Sequence, residues 1–186
     1  MDEQKIDRRV RKTKSTLLRC LTELMSKKKI NDITVKELTD LADVNRSTFY
    51  LYYKDIFDML EQVESEMLEE FKKVFHIIAK DNNDTKLLYF YTYIFEYVQN
   101  NAEMCKILLG PDGDNSFKEK FKKVILQTKP PFGDSIPQIK MHYLRPYAIS
   151  GCIGLIQQWI EDGLDIPPKD MAVITTEIIN KLTKDL

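Results

Sequence analysis

Glycine and proline are scarce in this chain of 186 residues, which contains only six glycines and seven prolines. They are concentrated between residues 110 and 168, so the rest of the chain holds few residues that interrupt helices. The alternation of apolar and polar residues that marks a strand is nearly absent. The sequence therefore predicts an all-α fold with about nine helices and no sheet.

Cysteine and histidine are also rare. Cys20, Cys105 and Cys152 are odd in number and widely spaced, which argues against the disulfide framework of a small secreted domain. His76 and His142 lie far apart, and neither has a second metal ligand at helical spacing. We expect reduced, mostly buried thiols and no metal site.

Segments that direct a chain to a membrane are missing. No stretch approaches the roughly 18 uninterrupted apolar residues of a membrane span. The first residues lack the apolar core of a signal peptide. With 43% apolar and 31% charged residues, the composition is that of a globular protein. We expect a cytoplasmic protein without a membrane partner.

Common catalytic motifs are missing as well. The sequence has no glycine-rich phosphate loop, no GxSxG, no HExxH and no recognisable Cys/His/Asp set. Asp and Glu are abundant, but the predicted helices place them on exposed faces, where solvation is their default role. The sequence therefore predicts no catalytic residue, no enzyme activity and no cofactor.

Charge is distributed unevenly, although the net charge is only −1. Residues 1–54 carry 13 Lys/Arg against 8 Asp/Glu, whereas residues 55–186 carry 15 against 21. A basic N-terminal module on an acidic body is typical of a nucleic-acid reader, because phosphate contacts supply most non-specific affinity. A chance imbalance of solvated charge explains the same numbers. The charges alone leave both interpretations open.

Apolar periodicity divides the chain into helices whose starts are marked by capping residues. Thr34 and Glu37 form a capping box, and Asn45, Asp55 and Asn101 are good N-caps for the helices that follow them. The predicted helices span residues 6–28, 35–41, 46–52, 56–80, 85–99, 102–109, 116–126, 139–161 and 169–182.

The most informative segment is residues 34–54, TVKELTDLADVNRSTFYLYYK. Two short helices joined by a turn of three to four residues are typical of a helix-turn-helix, whose second helix enters the major groove of DNA. We expect Leu38, Leu41, Ala42 and Val44 to pack between the two helices. The Arg, Ser, Thr and Tyr side chains of the second helix then project outward, where they can bind bases and phosphates.

This segment resembles the N-terminal DNA-binding domain of the TetR family of transcriptional regulators, a resemblance that extends over roughly residues 8–70. The matching positions are Thr34, Val35, Leu38, Ala42, Val44, Asn45, Ser47, Thr48, Tyr50, Tyr52 and Tyr53. Asp43 stands where glycine is usual, so either the turn forms without a positive φ or Asp tolerates one. Thr39 replaces a small apolar residue. Ile56 and Phe57 replace the Lys-Glu that often opens the fourth helix, and Lys54 is the candidate for the missing phosphate contact.

The resemblance implies roles for individual residues. Residues 46–48 and Tyr52 are implied to contact base edges, and Thr34, Tyr50 and Lys54 to contact phosphates. A basic arm along the flanking backbone is implied for Lys5, Arg8, Arg9, Arg11 and Lys12. The predicted DNA-binding residues are therefore Arg8, Arg11, Thr34, Asn45, Arg46, Ser47, Thr48, Tyr50, Tyr52 and Lys54. Core packing stays open for Tyr50 and Tyr53, and simple solvation for the arm.

The resemblance also implies a homodimer on a palindromic operator in double-stranded DNA, because one helix-turn-helix reads one half-site. TetR-family proteins dimerise through their last two long helices, which here are residues 139–161 and 169–182. The implied interface residues are Ile149, Cys152, Ile153, Ile156, Trp159, Ile174 and Ile178. An intrachain core has the same apolar pattern, so core packing stays open for each of them.

A small-molecule pocket in the body is a further implication of the resemblance. Residues 87–97 are aromatic on every face and suit an apolar or aromatic effector. The candidate pocket residues are Tyr89, Tyr93, Tyr97, His142 and Arg145, with Glu96 as a further polar candidate. Core packing of the rings is the alternative.

Two functions from different classes follow. In the first, residues 1–54 form a helix-turn-helix DNA-binding domain and residues 55–186 a helical effector-binding and dimerisation domain of a regulator, with repression the commoner outcome for the family. In the second, the chain is a TetR-like co-regulator that acts through another protein and has no effector of its own. An open cavity lined by residues 87–97 favours the first function, and a filled interior favours the second.

Overall fold

A computed structural model describes residues 3–78, 86–110, 115–130 and 136–184, and for residues 3–7, 77, 78, 103 and 115 it describes the backbone only. Its helices are α1 (Glu3–Met25), α2 (Val35–Ala42), α3 (Arg46–Tyr50), α4 (Ile56–Ile78), α5 (Lys86–Asn100), α6 (Ala102–Leu109), α7 (Asn115–Gln127), α8 (Gln138–Glu161) and α9 (Pro168–Thr183). A short 3-10 helix, Ile30–Asp32, lies between α1 and α2. Over the described ranges the chain thus has nine α-helices and no strand, which confirms the predicted all-α fold.

The chain divides into two compact units, residues 1–65 and 66–186, and the division falls within α4. The functional boundary predicted between residues 54 and 55 stays a prediction.

The first unit is built around one apolar cluster to which four helices contribute. Leu17 and Leu21 of α1, Leu38 of α2, Phe49 of α3 and Met59 of α4 are completely buried in it. These side chains recur at helical spacing, so each helix turns one apolar face inward. The cluster therefore holds the two short helices α2 and α3, which are too short to be stable alone.

Two apolar side chains of this unit face solvent against expectation. The pattern of α4 predicts a buried Phe57, and that of α2 a buried Leu41, yet both are exposed. Ile56, Met59 and Leu60 are the residues of α4 that turn inward. Because each helical residue is rotated by about 100° from the last, Phe57 then points to the side.

The second unit is built on aromatic contacts among α4, α5 and α7, with α5 packed along α9 and α8 packed against α6 and α7. The Phe71 ring meets the rings of Tyr97 and Phe121 edge to face, each with centroids 5.1 Å apart. Trp159 is buried against Phe95, and its indole N–H donates to the Ile166 carbonyl at 2.9 Å. The only tryptophan is therefore a core residue.

Of the N-caps predicted for α4 and α6, the first forms a capping hydrogen bond and the second does not. Asp55 accepts a hydrogen bond from the Asp58 N–H at 2.8 Å and so caps α4 as predicted. Asn101 stands at the N-cap position of α6, but its side chain makes no capping bond. Its amide nitrogen instead donates to the Tyr97 carbonyl at 2.9 Å, which ties α6 to the end of α5.

The three cysteines are free thiols: Cys20 and Cys105 are buried and Cys152 is half-buried, so the predicted burial is confirmed. Among the described side chains, no group of three or more His, Cys, Asp or Glu residues is arranged to hold a metal. No helix within the described ranges has the length and apolarity needed to cross a membrane.

Candidate nucleic-acid interface and internal cavity

The turn between α2 and α3 is fixed by backbone geometry and by a cap on each helix. The Thr34 hydroxyl oxygen accepts the Glu37 N–H at 3.2 Å and caps α2, as predicted. α2 ends at Asp43, which adopts the left-handed conformation with φ 52° and ψ 47°. Of the two alternatives for this position, Asp therefore tolerates the positive φ that glycine usually supplies. The Val44 N–H then closes the turn on the Thr39 carbonyl at 3.1 Å.

Asn45 and Ser47 form the cap that begins α3. The Asn45 side-chain oxygen accepts two hydrogen bonds, from the Ser47 N–H and from the Ser47 hydroxyl, both at 2.9 Å. The Asn45 oxygen is thus engaged inside the protein and positions α3. The Ser47 hydroxyl hydrogen is used in the same cap, so its oxygen faces outward as an acceptor.

The outer face of α3 combines charged, polar and aromatic groups. Phe49 is completely buried and anchors the helix, whereas Arg46, Ser47 and Tyr50 are exposed. Thr48 is half-buried. An exposed guanidinium can form a bidentate pair with guanine or with phosphate, and the hydroxyls can bind either. The face has the side chains needed to contact a DNA groove.

Leu51, which follows α3 directly, extends this face and was missed by the sequence analysis. Its side chain is 75% exposed, the highest value among the large exposed apolar residues that the structure describes. An apolar side chain beside a polar recognition face can contact a thymine methyl group. The signal in the sequence is its position between the buried residues Phe49 and Tyr53, which forces Leu51 to the opposite side.

The residues after Leu51 connect the recognition face to α1 and α4. Tyr53 is buried against Phe49 with ring centroids 5.5 Å apart, which is the core role left open from sequence. Lys14 places its ammonium 5.6 Å from the Tyr53 ring centroid and 5.9 Å from that of Tyr52, which is half-buried. The two tyrosines therefore hold Lys14 beside the face.

Lys54 is exposed, and its backbone N–H donates to the Asp58 carboxylate at 2.8 Å. This hydrogen bond is the main cause that lowers the pKa of Asp58. The link fixes the Lys54 backbone at the start of α4 and leaves its side chain in solvent.

Basic residues of α1 lie exposed near the N-terminus. Arg8, Arg9, Arg11 and Lys12 are exposed on the helix, while the side chain of Lys5 lies outside the described part. The predicted arm is therefore the first turns of α1. Lys28, at the other end of this helix, pairs with Glu37 and ties α1 to α2.

The second unit contains a cavity of about 600 Å³ of empty space, part of it open to solvent. One wall is a stripe along α8 in which lining residues recur every three or four positions: Arg145, Ala148, Ile149, Cys152, Ile153 and Ile156. At about 1.5 Å per residue, this wall is about 16 Å long. The cavity is therefore lined over several turns of one helix.

The facing walls come from α4, α5, α7 and the residue Pro130. They are formed by Phe71, Phe75, Phe90, Tyr91, Ile94, Phe121, Ile125 and Pro130. Burial raises the pKa of Tyr91 well above its ordinary value and that of Cys152 to about 12. Both groups are neutral at physiological pH, so this part of the lining carries no charge.

Among the described residues that line the cavity, Arg145 is the one charged residue, and it is half-buried. One guanidinium nitrogen donates to the carbonyls of Ile125, at 3.0 Å, and Thr128, which lie at the end of α7. Burial lowers the pKa of Arg145. Within the described ranges, no carboxylate pairs with it.

Apolar side chains also cover an exposed face of α8 and of α9. On α8, Ile139, Tyr143 and Tyr147 follow one another at intervals of four residues, and the two tyrosines are 70% and 63% exposed. Further along, a Cβ added at Gly151 or Gly154 would meet no atom within 4 Å. On α9 the exposed apolar residues are Val173, Ile174, Ile178 and Leu182. Faces of this kind often mark interaction sites.

Comparison with known proteins identifies the family. Residues 85–181 match a TetR family model whose description is "Transcriptional regulator C-terminal region". The chain belongs to the TetR family of transcriptional regulators. No curated protein matches the sequence of this TetR-family chain.

Solved structures of other regulators share its fold. The TetR transcriptional regulator from Streptococcus agalactiae 2603V matches with a TM-score of 0.59 at 20% identity, over 96% of this chain and 99% of that chain. The fatty acid degradation regulator FadR from Bacillus halodurans matches with 0.64 at 11% identity, over 89% and 93%. FadR from Bacillus subtilis, solved in complex with stearoyl-CoA, matches with 0.60 at 12% identity, over 88% and 96%. At these identities the likeness concerns the fold.

The DNA-binding residues predicted for this TetR-family chain all lie in its first unit. The structure brings Thr34, Asn45, Arg46, Ser47, Thr48, Tyr50, Tyr52 and Lys54 together on and around α2 and α3, and places Arg8 and Arg11 on α1. Their contacts with DNA stay a prediction.

Of the predicted pocket residues, one lines the cavity. Arg145 lines the cavity, whereas Tyr89 and His142 are exposed, and Tyr93 and Tyr97 are half-buried outside its lining. The Tyr93 hydroxyl donates to the Glu70 carboxylate at 3.5 Å. Residues 87–97 do contribute to the cavity, but through Phe90, Tyr91 and Ile94. The rings of α4 and α7 were missed, because their apolar spacing is also that of an ordinary core.

The predicted interface residues fall into three groups. Ile149, Cys152, Ile153 and Ile156 line the cavity, and Trp159 lies in the core. Ile174 and Ile178 are exposed on α9. The family consists of transcriptional regulators, which are generally not enzymes; that this chain has no enzyme activity stays a prediction.

Proposed function

We propose that this chain is a sequence-specific regulator that binds a palindromic operator as a homodimer, with α3 in the major groove. The observation that carries the proposal is the exposed face of α3, where Arg46, Ser47 and Tyr50 surround a helix anchored by buried Phe49. A short, capped helix with outward Arg and hydroxyl side chains suits the direct readout of bases.

Selection of bound duplexes from a random DNA pool, with the purified full chain, tests this proposal. We expect enrichment of a palindrome, because two identical heads related by a two-fold axis read inverted half-sites. An enriched sequence without a palindrome contradicts the homodimer, and the absence of any enrichment at low salt contradicts sequence-specific binding.

A double variant assigns the binding to α3. Arg46→Ala with Tyr50→Ala removes the guanidinium and the exposed ring, so we expect affinity for the selected operator to fall to the non-specific level, at least about 1000-fold weaker. The matched control is Lys106→Ala with Tyr89→Ala, which removes an exposed cation and an exposed tyrosine from the second unit. Operator titration and far-UV circular dichroism are the measurements; unchanged operator affinity in the α3 variant overturns the role of this helix.

The homodimer is supported by the exposed apolar residues of α8 and α9. An apolar surface of this kind is costly in water and is stabilised when a partner covers it. Gly151 and Gly154 allow the backbone of a partner helix to approach closely, since nothing fills the space in front of them. We infer that two copies pack these helices together.

Control by a small-molecule effector is the next part of the proposal. The cavity in the second unit supports an effector-responsive regulator over a co-regulator without a ligand, because it holds open space beside Phe90, Tyr91 and Ile94 of residues 87–97. A related fold, FadR from Bacillus subtilis, was solved with stearoyl-CoA. We propose repression that is released by the effector, and a reporter gene placed behind the selected operator tests the sign.

A further inference from the structure

We propose that the effector is an amphiphilic anion, whose elongated apolar body occupies the cavity and whose anionic head group binds Arg145 and the basic groove beside it. The inference rests on the proposed effector-responsive function and specifies the chemistry of its ligand. It follows from the two ends of the cavity, which differ in polarity, and from a basic groove that adjoins the end at Arg145.

The body of the ligand is apolar because the cavity walls are. Phenylalanine rings, isoleucines and Ala148 supply nearly all of the lining. Two further polar groups of the lining, the Tyr91 hydroxyl and the Cys152 thiol, are both neutral. A charge placed there would lose its hydration without finding a counter-ion, which is strongly unfavourable.

The body is elongated because the cavity follows one helix. Arg145 lies at one end of the α8 wall and Ile156 at the other, about 16 Å apart along the helix axis. A chain-like molecule with one end at Arg145 fills such a space better than a compact one. Tyr91, which is buried on the facing wall, carries a hydroxyl that can donate one hydrogen bond to a polar group of the ligand.

The head group is anionic because no described residue supplies Arg145 with a counter-ion. Its bonds to the Ile125 and Thr128 carbonyls use one guanidinium nitrogen and hold the group in place. The remaining N–H groups have no partner among the described residues. A half-buried guanidinium without an anion is costly, and a carboxylate or phosphate oxygen would satisfy it with charge-assisted hydrogen bonds.

A basic groove continues from this end of the cavity. Phe75 lines both spaces, and the groove of about 1030 Å³, largely open to solvent, is also lined by Lys72, Lys73, His76, Thr128 and Lys129. Lys72 and Lys73 pair with Glu69 and Glu70, each at 2.6 Å, on the protein surface. Exposed pairs of this kind contribute little, so a phosphate can replace the glutamates at small cost.

The same chemistry has two sources, the carboxylate of a fatty acid and the phosphates of an acyl-CoA. Four probes with one chain length separate them: dodecanoate, dodecanoyl-CoA, 1-dodecanol and dodecyltrimethylammonium. Titration calorimetry with the purified full chain, below the micellar concentration of each probe, measures the affinities. We expect at least one anionic probe to bind about tenfold or more tightly than the neutral and the cationic probes.

Each outcome of this titration has one meaning. Binding of dodecanoate alone assigns the head to a carboxylate at Arg145, and binding of dodecanoyl-CoA alone assigns it to phosphates in the basic groove. Equal or tighter binding of dodecanol or of the cationic probe overturns the proposal. So does the absence of binding by all four probes.

Variants locate the head group. Arg145→Met removes the charge and keeps an apolar side chain, and Lys72→Met with Lys73→Met removes two cations from the groove. We expect one of these variants to weaken the anionic probe about tenfold and to leave dodecanol unchanged. Lys122→Met with Lys123→Met is the matched control on α7, where Lys122 also pairs with a glutamate three residues away. The proposal is overturned if the Arg145→Met variant and the Lys72→Met, Lys73→Met variant both still bind the anionic probe more tightly than dodecanol.

A third variant locates the apolar body. Ala148→Phe adds a ring to the α8 wall, so we expect it to abolish binding of the anionic probe with the helical circular dichroism retained. If Arg145→Met fails to fold, Arg145→Lys takes its place in the comparison. This variant keeps the charge, so we expect it to retain the preference for the anionic probe. Binding that survives Ala148→Phe places the ligand elsewhere and overturns the assignment to this cavity.

The DNA selection described above is carried out without any of these probes. An enriched palindrome together with failed anion binding leaves the regulator in place and removes only the ligand class. Anion binding without an enriched operator supports the ligand class and contradicts sequence-specific DNA binding.

Discussion

Asp43 carries the conformation on which the recognition helix depends. Its positive φ turns the chain between α2 and α3 and lies in a region that β-branched residues avoid. We expect Asp43→Val to lower the free energy of unfolding of the first unit by about 1–2 kcal/mol, because the left-handed conformation costs that much for a residue with a bulky Cβ. Asp43→Gly and Asp43→Asn are expected to keep or raise it.

Urea unfolding followed by circular dichroism measures the difference among the three Asp43 variants. A valine variant as stable as the asparagine variant would show that the turn does not require a positive φ. The comparison with asparagine controls for the lost charge.

The thiols of Cys105, which is buried, and Cys152, which is half-buried, give the second unit a measurable pH dependence. Burial raises the pKa of Cys105 and Cys152 from the ordinary value of 9.0 to about 12. Because the folded pKa is raised, the stabilising contribution is fully present below pH 9.0 and is lost as the pH rises toward about 12. The expected result is slow alkylation by iodoacetamide at pH 8, since the thiolate fraction falls about 1000-fold.

Mass spectrometry of the alkylated protein, native and in urea, measures this protection for each cysteine. Rapid native labelling of Cys105 would contradict its burial. In urea all three cysteines, including Cys20, are expected to react alike, which controls for intrinsic differences among the sites.

Local signals at single residues were sufficient to predict three of the four caps, with Asn101 the exception, and insufficient to predict exposure. Thr34, Asn45 and Asp55 bond to N–H groups two or three residues away, so their roles can be read from adjacent sequence. Phe57 and Leu51 are exposed because of how whole helices are rotated against the core. That rotation depends on contacts between distant segments, which periodicity determines only to within one residue.

Among the elements, α8 has apolar residues on two faces with different surroundings. The stripe of residues 145–156 lines the cavity, while Ile139, Tyr143 and Tyr147 are exposed on another face. The sequence predicted apolar faces on α8 and α9. It could not decide which face of α8 packs inside the chain and which is exposed, because this helix is apolar on more than one side. The residues predicted for the interface on α8 therefore lie against the cavity or the core, whereas Ile174 and Ile178 of α9 are exposed.

The proposed dimer is tested on the exposed face of α8. Tyr143→Asp with Tyr147→Asp places two charges on it, so we expect the dimer to dissociate at micromolar concentration, because a charge buried without a partner costs several kcal/mol. Tyr89→Asp is the control, since Tyr89 is 59% exposed on α5. Light scattering after gel filtration measures the mass; a double variant that stays dimeric moves the interface to another surface.

At the scale of the whole molecule, opposite charges are segregated along the chain. The first 54 residues carry the excess of base, and the remainder carries the excess of acid. A net charge of −1 therefore hides an excess of positive charge in the segment that we propose binds DNA. The acidic remainder is expected to limit non-specific binding, because it repels DNA that does not meet the basic end.

The basic arm is tested by the salt dependence of operator binding. The logarithm of the affinity should fall linearly with the logarithm of salt concentration, by about 0.9 for each phosphate contacted. If Arg8 and Arg11 each bind a phosphate, Arg8→Gln with Arg11→Gln reduces the slope by about 2 per head and weakens specific and random duplexes alike. Lys122→Gln with Lys123→Gln in the second unit should leave the slope unchanged. A slope that the arginine variant also leaves unchanged would assign these side chains to solvent, and the phosphate contacts would then fall to Thr34, Tyr50 and Lys54.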